Sequence, residues 1–201
     1  MNAHHAALVL AAGMSRRLGA PKQLVRFEGA TLVERAVDAA LASGAAHVHV
    51  VLGAHADAID EALGDRPVIR VRNAAFATGL GSSLRAGLAS ARTTDEALAA
   101  VLVMLCDQPH VEAAHLAHLL DAVGRGGHAI AASTYGGVLG VPAAFASSVF
   151  GELGSLGGDQ GARDVIRRDP ARVQAIAFAR GAVDVDEPHD IERLAESRPI
   201  T

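Results

Sequence analysis

Hydrophobic positions fall into short apolar runs separated by stretches of helical period. "AALVLAA" (6–12), "HVHVVL" (47–52), "PVIRV" (67–71) and "ALAAVLVML" (97–105) read as strands. The first and last are apolar throughout, as strands covered on both faces are. Between them lie amphipathic segments. "TLVERAVDAALASG" opens with a capping box, Thr31 with Glu34 three residues on, and stops at Gly44. "ADAIDEALG" ends at Gly64, "SSLRAGLASAR" starts on Ser82 and Ser83, which can cap, and "EAAHLAHLLDAVGRGG" runs into glycines. In the second half "HAIAAST" predicts a strand, and the glycine-rich "YGGVLGVPAAF" with Pro142 suits an edge or a bend. "GDQGARDVIRRD" predicts a helix that Asp159 can cap, "VQAIAF" a strand and "EPHDIERLAES" a closing helix.

This alternation predicts right-handed crossovers and a mostly parallel central sheet with helices on both faces, a three-layer α/β/α Rossmann-like architecture. No repeat, low-complexity tract or linker interrupts it, so residues 1–201 are expected to form one domain. Ligands of open α/β sheets bind beyond the carboxyl ends of the strands. Those ends nominate residues 13–22, 53–55, 73–83 and 107–109.

Composition narrows the partners. Half of the residues are apolar, but with five Phe, one Tyr and no Trp the core must be filled by Ala, Val and Leu. A net charge of −4 points away from nucleic acid, and the stacking platforms for single strands are missing. The single Cys106 leaves no intramolecular disulfide framework, and as the end of an apolar run it reads as a small buried hydrophobe. The longest apolar run, 97–106, is about half of what a bilayer span needs. The first residues lack a basic region and a cleavage site, so no membrane and a cytoplasmic location are expected. His4 and His5 are expected on a mobile terminus. His47 and His49 are expected to cover a strand face, and His115 and His118 share a helix face without a clear third ligand.

Lys22 is the only lysine among 18 Lys and Arg positions. An ammonium is a compact point charge and a guanidinium a planar fork, so a site that sets one concentrated charge against a phosphate favours lysine. The preceding loop brings Ser15, Arg16 and Arg17, and the amides of a glycine-opened turn can form an anion-binding concavity. Five residues separate Gly13 from Gly19 and Lys22 precedes Gln23, which does not fit a P-loop. A dinucleotide fingerprint needs Gly where Ser15 stands, and a hydrolase nucleophile elbow needs Gly where Arg17 stands. What remains is a phosphate loop of another kind or an ordinary polar βα loop.

"LAAGMSRRLGAPKQL" closely resembles the signature of the MobA-like nucleotidyltransferases, which include molybdenum cofactor cytidylyl- and guanylyltransferases. Sugar-nucleotide pyrophosphorylases and isoprenoid-pathway cytidylyltransferases are more distant kin. The resemblance continues through "NAAFATGLGSSLRAG", "VLVMLCDQP", "GVPAAF", "GGDQGARDV" and "DVDEPHDIERL", in the family's order. It implies the nucleotide-diphospho-sugar transferase fold. It also implies attack of an acceptor phosphate on the α-phosphorus of CTP or GTP, with pyrophosphate leaving. The residues around Ala11, Ala12, Gly13, Met14 and Ser15, with Arg16, would hold the triphosphate, and Lys22 would neutralise charge on the α-phosphoryl oxygens. Asp107 and Asp186 would hold Mg²⁺, with Asp184 as a flanking candidate. Gly79, Gly81, Ser82 and Ser83, with Asn73 and Phe76, would lie against the nucleobase, and Asp159 and Arg163 on the acceptor side.

Taken from the residues alone, Asp107 also suits a turn before proline and Asp186 a helix N-cap. Arg163 also suits a surface salt bridge. Molybdopterin cytidylyltransferases tend to carry His-Pro where this chain has Val141-Pro142, a departure on the acceptor side. The expected product passes to a molybdoenzyme or its chaperone. The alternatives are another phosphorylated acceptor such as a sugar phosphate, or a non-catalytic nucleotide binder of the same fold.

Overall fold

The structure, a computed structural model, describes residues 4–196. The chain runs through β1 (His5–Leu10), a 3₁₀ turn (Lys22–Leu24), a short hairpin of β2 (Arg26–Phe27) and β3 (Ala30–Thr31), α1 (Leu32–Leu41), β4 (His47–Leu52), α2 (Ala56–Leu63) and β5 (Ile69–Arg72). It continues with α3 (Leu80–Thr94), β6 (Ala100–Leu105), α4 (Ala113–Gly124), β7 (Ile130–Tyr135) and β8 (Val138–Ala146). It ends with α5 (Phe150–Gly154), α6 (Ala162–Arg168), β9 (Val173–Ala177) and α7 (Pro188–Glu196). The main sheet has the order β5-β4-β1-β6-β8-β7-β9. Its first four strands are parallel, β8 is antiparallel to both neighbours, and β9 is parallel to β7. Among the described residues no helix is long and apolar enough to cross a membrane.

The uninterrupted apolar run of β1 has a direct cause. Because successive side chains of a strand point to opposite faces, Ala6, Leu8 and Leu10 enter one core with Leu84 and Leu88 of α3 and Val165 and Ile166 of α6. Ala7 and Val9 enter the other, with Val33 and Val37 of α1, Ile59 of α2 and Leu116 and Leu119 of α4. Both faces are buried, so no polar position interrupts the strand.

Local signals were kept in some places and overridden in others. The Thr31 capping box is present: Glu34 N–H donates to Thr31 Oγ1 at 3.3 Å and Thr31 N–H donates to Glu34 Oε2 at 2.7 Å. α3, however, starts two residues ahead of Ser82, with Gly79 as N-cap. Ser82 lies inside the first turn and donates to the carbonyls of Ala75 and Gly79. Asp159 does not cap α6 either. Gly161 is the N-cap, and its N–H donates to Asp164 Oδ2 at 2.7 Å. The N-terminal histidines are tied down, with His5 in β1 and His4 Nδ1 2.9 Å from Asp95 Oδ2.

Of the edge or bend expected for β8 the structure has the second, since β8 lies inside the sheet and its pairing with β7 is irregular. Its proline is tolerated there because the ladder skips it. Pairing with β7 shifts register between Ala132↔Ala143 and Ser133↔Gly140, and pairing with β6 ends at Ala143. No ladder hydrogen bond is therefore asked of Pro142, as at a β-bulge. The Val141 and Pro142 carbonyls are taken instead by Gln108 Nε2, Tyr135 Oη and Ser133 Oγ.

His49 of β4 is fully buried, with Nδ1 3.0 Å from Ser90 Oγ. Burial, and the neighbouring His47, pull its pKa down to about 4 from 6.5. The folded state thus resists a proton that the unfolded chain accepts. Its stabilising contribution is complete above pH 6.5 and is lost as the pH falls towards 4, with a limiting slope of ~1.4 kcal/mol per pH unit. Urea unfolding between pH 7 and pH 4.5 should show this loss, and His49→Gln should give a flatter profile. Parallel profiles for the two proteins would exclude the assignment.

Candidate active site

Three stretches distant in sequence converge beyond the carboxyl ends of β1 and β6. The loop 11–21 leaves β1, residues 107–110 leave β6, and residues 181–187 return from β9 to lie beside them. Val185 N–H donates to the Asp107 carbonyl at 3.0 Å. Gln108 Nε2 donates to the carbonyls of Gly181 at 3.1 Å and Val141 at 3.2 Å, fastening the returning segment and the β8 bulge to one side chain.

At the junction Lys22 Nζ lies 2.6 Å from Asp107 Oδ2 and 2.8 Å from Asp186 Oδ1. Burial alone would lower the lysine pKa, but the two carboxylates outweigh it and hold the ammonium above its ordinary value. It is therefore charged at any physiological pH. Asp184 is pushed up, first by desolvation and then by the charges of Asp107 and Asp186. Arg17 reaches Asp186 Oδ2 at 3.3 Å, but its side chain is 69% exposed and the contact is correspondingly weak.

Asp186 does not cap α7. Its own N–H and that of Glu187 donate to Asp190 Oδ2, at 3.0 and 2.9 Å. That leaves the Asp186 carboxylate turned to Lys22 and Arg17. Among the described residues Asp107 Oδ1 is buried and has no hydrogen-bond partner. Asp107 and Asp186 are the ligand type that a hard divalent cation takes, although among the described residues no group of three or more His, Cys, Asp and Glu is arranged to hold a metal ion.

Two clefts meet over this cluster. One, of about 270 Å³, is lined by Ala12, Gly13, Met14, Lys22, Phe76 and Ser83. The other, of about 330 Å³, is lined by Val141, Arg163, Asp164, Asp184 and Asp186. Leu10, Leu80, Leu105, Asp107 and Asp159 line both. The junction thus brings Lys22, Asp107 and Asp186 together, with Asp159 and Arg163 on one side and the residues after β1 on the other. Ala11 is buried in the core, and Ser15 turns inward to Gln23 and the Lys22 backbone. Arg16 is exposed, with Nη2 3.5 Å from Met14 Sδ. Cys106 is buried, and desolvation pushes its thiol up to about 12, so it stays an inert apolar neighbour.

The glycines of "TGLGSSL" have a packing role as well, and Gly79 also lines the first cleft. A Cβ on Gly79 would strike the Gly158 carbonyl, and its φ of +112° is itself a glycine conformation. Gly81 faces the backbone of Leu156 and Gln160, and its N–H donates to Gly158 O at 3.1 Å. Bareness here lets the loop that carries Asp159 lie against the start of α3. Ser83 lines the cleft, and Asn73 Nδ2 donates to both Ser82 Oγ at 2.9 Å and Ser83 Oγ at 3.1 Å. Gln23 and Gln108, the two amides that tie the site together, lie within "PKQL" and "CDQP", but nothing in those stretches sets them apart from their neighbours as supports.

Residues 7–173 match the family model of the MobA-like NTP transferase domain. The chain belongs to the MobA-like NTP transferase family. It is accordingly a nucleotidyltransferase with a nucleoside triphosphate as substrate. A protein named nicotine blue oxidoreductase, from Paenarthrobacter nicotinovorans, is 33% identical over 198 residues, covering 93% of this chain and 94% of that one. Rv0371c from Mycobacterium tuberculosis H37Rv superimposes with a TM-score of 0.82 at 30% identity, over 98% of this chain and 100% of that one. A second structure of Rv0371c, a complex with manganese, superimposes with a TM-score of 0.80 at 30% identity, over 96% of this chain and 99% of that one. Molybdopterin-guanine dinucleotide biosynthesis protein A from Archaeoglobus fulgidus shares the fold at 18% identity and a TM-score of 0.64, over 95% of this chain and 97% of that one.

The packing of Gly79 predicts a sharp contrast between two glycines of the site. Gly79→Ala forces both an overlap and a strained backbone, and should cost ~2–4 kcal/mol in urea denaturation. Gly13→Ala meets nothing nearer than Gln23 Nε2 at 3.9 Å. It should change stability by less than about 1 kcal/mol.

Proposed function

We propose that the protein transfers CMP or GMP from CTP or GTP to a phosphorylated small-molecule acceptor, with the molybdopterin cofactor as that acceptor. The observation that carries this reading is the Lys22 ammonium set between Asp107 and Asp186 where the two clefts meet. A nucleotidyl transfer needs concentrated positive charge at one phosphorus and an approach from each side of it. The acceptor phosphate oxygen forms a bond to the α-phosphorus while the bond to the bridging α–β oxygen breaks, and pyrophosphate leaves with that electron pair. Such chemistry asks a protein mainly for positioning and charge stabilisation.

In this reading the amides from Ala12 to Ser15 and the exposed Arg16 receive the triphosphate. Lys22 offsets charge developing on the α-phosphoryl oxygens. Asp107 and Asp186 hold Mg²⁺, which neutralises phosphate charge when bound; the manganese complex of Rv0371c supports a divalent cation in this fold. The base lies towards Gly79 and Ser83. The acceptor occupies the second cleft, where Arg163 is the cation for its phosphate and Asp159 faces it from the loop before α6. Val141 in place of a histidine keeps a sugar phosphate as the alternative acceptor. The product would pass to a molybdoenzyme or its chaperone.

A thermal-shift panel of CTP, GTP, ATP and UTP with Mg²⁺ tests the donor. A ligand at 100 times its Kd adds ~2.7 kcal/mol. One nucleotide should shift the wild type clearly, and Lys22→Ala should blunt that shift. With molybdopterin supplied, pyrophosphate release should fall by roughly 10²–10³-fold in Lys22→Ala, as for loss of one transition-state donor. NADH and NADPH belong in the same panel because one relative is named an oxidoreductase. A shift by either without one by any triphosphate, and no pyrophosphate, would sink the transfer reading.

A further inference from the structure

Gln23 is 1% exposed and lies on the 3₁₀ turn immediately after Lys22. Its amide makes three hydrogen bonds to alternate residues of the loop after β1. Nε2 donates to the carbonyls of Ala11 at 3.0 Å and Gly13 at 2.8 Å, and Oε1 accepts from Ser15 Oγ at 3.2 Å. Two carbonyl acceptors on one side fix the amide in this orientation, since only its nitrogen can donate. Ser15 Oγ in turn accepts the backbone N–H of Lys22 at 3.0 Å. Ser15 is held at a φ of +50°, a conformation uncommon outside glycine. A glycine there would adopt the backbone readily but could not make either hydroxyl bond.

We propose that Gln23 is the positioning residue of the triphosphate loop and that Ser15 is its relay to Lys22. The inference rests on the nucleotidyltransferase reading of the cleft. By engaging the Ala11 and Gly13 carbonyls, Gln23 satisfies two acceptors whose negative ends would otherwise be free to face an anion. The loop is held in shape before ligand arrives, so binding need not order it. The Ser15 hydroxyl joins the same clasp to the backbone of the residue that carries the ammonium, so loop and lysine are set as one unit. A dinucleotide fingerprint has glycine at this position, and the network gives serine a use there that glycine could not serve.

The test uses Gln23→Met, which keeps length and apolar bulk but no hydrogen bond, Ser15→Ala and the double variant. Calorimetry measures affinity for the triphosphate preferred by the wild type, with Mg²⁺, and for the corresponding nucleoside without phosphates. Each single variant should weaken triphosphate binding about tenfold, the scale of one lost hydrogen bond to a preorganised site. Nucleoside affinity should stay within about twofold, because the clasp shapes only the phosphate side. The double variant should lose little beyond the weaker single variant, since both residues act in one network. Should Gln23→Met not fold, Ser15→Ala decides, its side chain being only half-buried. Unchanged triphosphate affinity in folded variants overturns the clasp alone. Equal losses for nucleoside and triphosphate reduce Gln23 to a structural residue and also overturn it. A wild type that binds no triphosphate removes the cleft reading and the clasp together.

Discussion

Everything at the carboxyl end of this sheet is organised around one ammonium placed between two carboxylates. A buried ion pair is weak evidence for stability, because desolvating the charges offsets much of their attraction. Its value here is positional. Lys22, Asp107 and Asp186 come from three separate stretches of chain, and their charges require those stretches to meet. The backbone bond from Val185 to Asp107 and the bonds from Gln108 to Gly181 and Val141 hold the meeting point without charge. Carboxylate charge remains in excess of the ammonium, and after desolvation it is this charge that pushes Asp184 towards protonation.

The choice of lysine follows from the same geometry. Its Nζ makes both contacts, at 2.6 and 2.8 Å, from a side chain only 18% exposed. A guanidinium presents a wider, flat fork with its charge spread over three nitrogens, and fits a bidentate partner better than two carboxylates from different segments. Arginine is used in the other role on the same rim. Arg17 bridges Asp186 and Glu187 with its side chain largely in water. On this rim Lys22 and Arg17 therefore divide by burial.

Much of the fold was legible because the features that specify it are local. Strands covered on both faces must be apolar throughout, and β1 and β6 were; β4 begins and ends where its pattern did. Lys22, Asp107 and Asp186 were legible as candidates because their motifs surround them. What failed was everything set by contact with a remote backbone. Pro142 suited an edge or a bend alike, because the register shift that decides between them cannot be seen from one strand. Asp159 and Ser82 looked like caps because capping is judged from neighbours, yet Gly161 and Gly79 hold those places. The packing of Gly79 and Gly81 on the loop at 156–160 was not legible because that loop lies far away in sequence.

The same distinction bears on how the site is built. Residues that touch the cleft vary in chemistry, but buried amides hold them in place: Gln23 beneath the first loop donates twice and accepts once, and Gln108 beneath the returning segment donates twice. A neutral amide suits this work because it donates to backbone carbonyls without adding charge to a site that already carries an excess of carboxylates. A carboxylate in either place would face backbone carbonyls it cannot bond, and an ammonium would compete with Lys22 for Asp107. The electrostatics of the cluster thus constrain the supporting side chains as well as the charged ones, which makes glutamine at both positions a consequence of the single ammonium they surround.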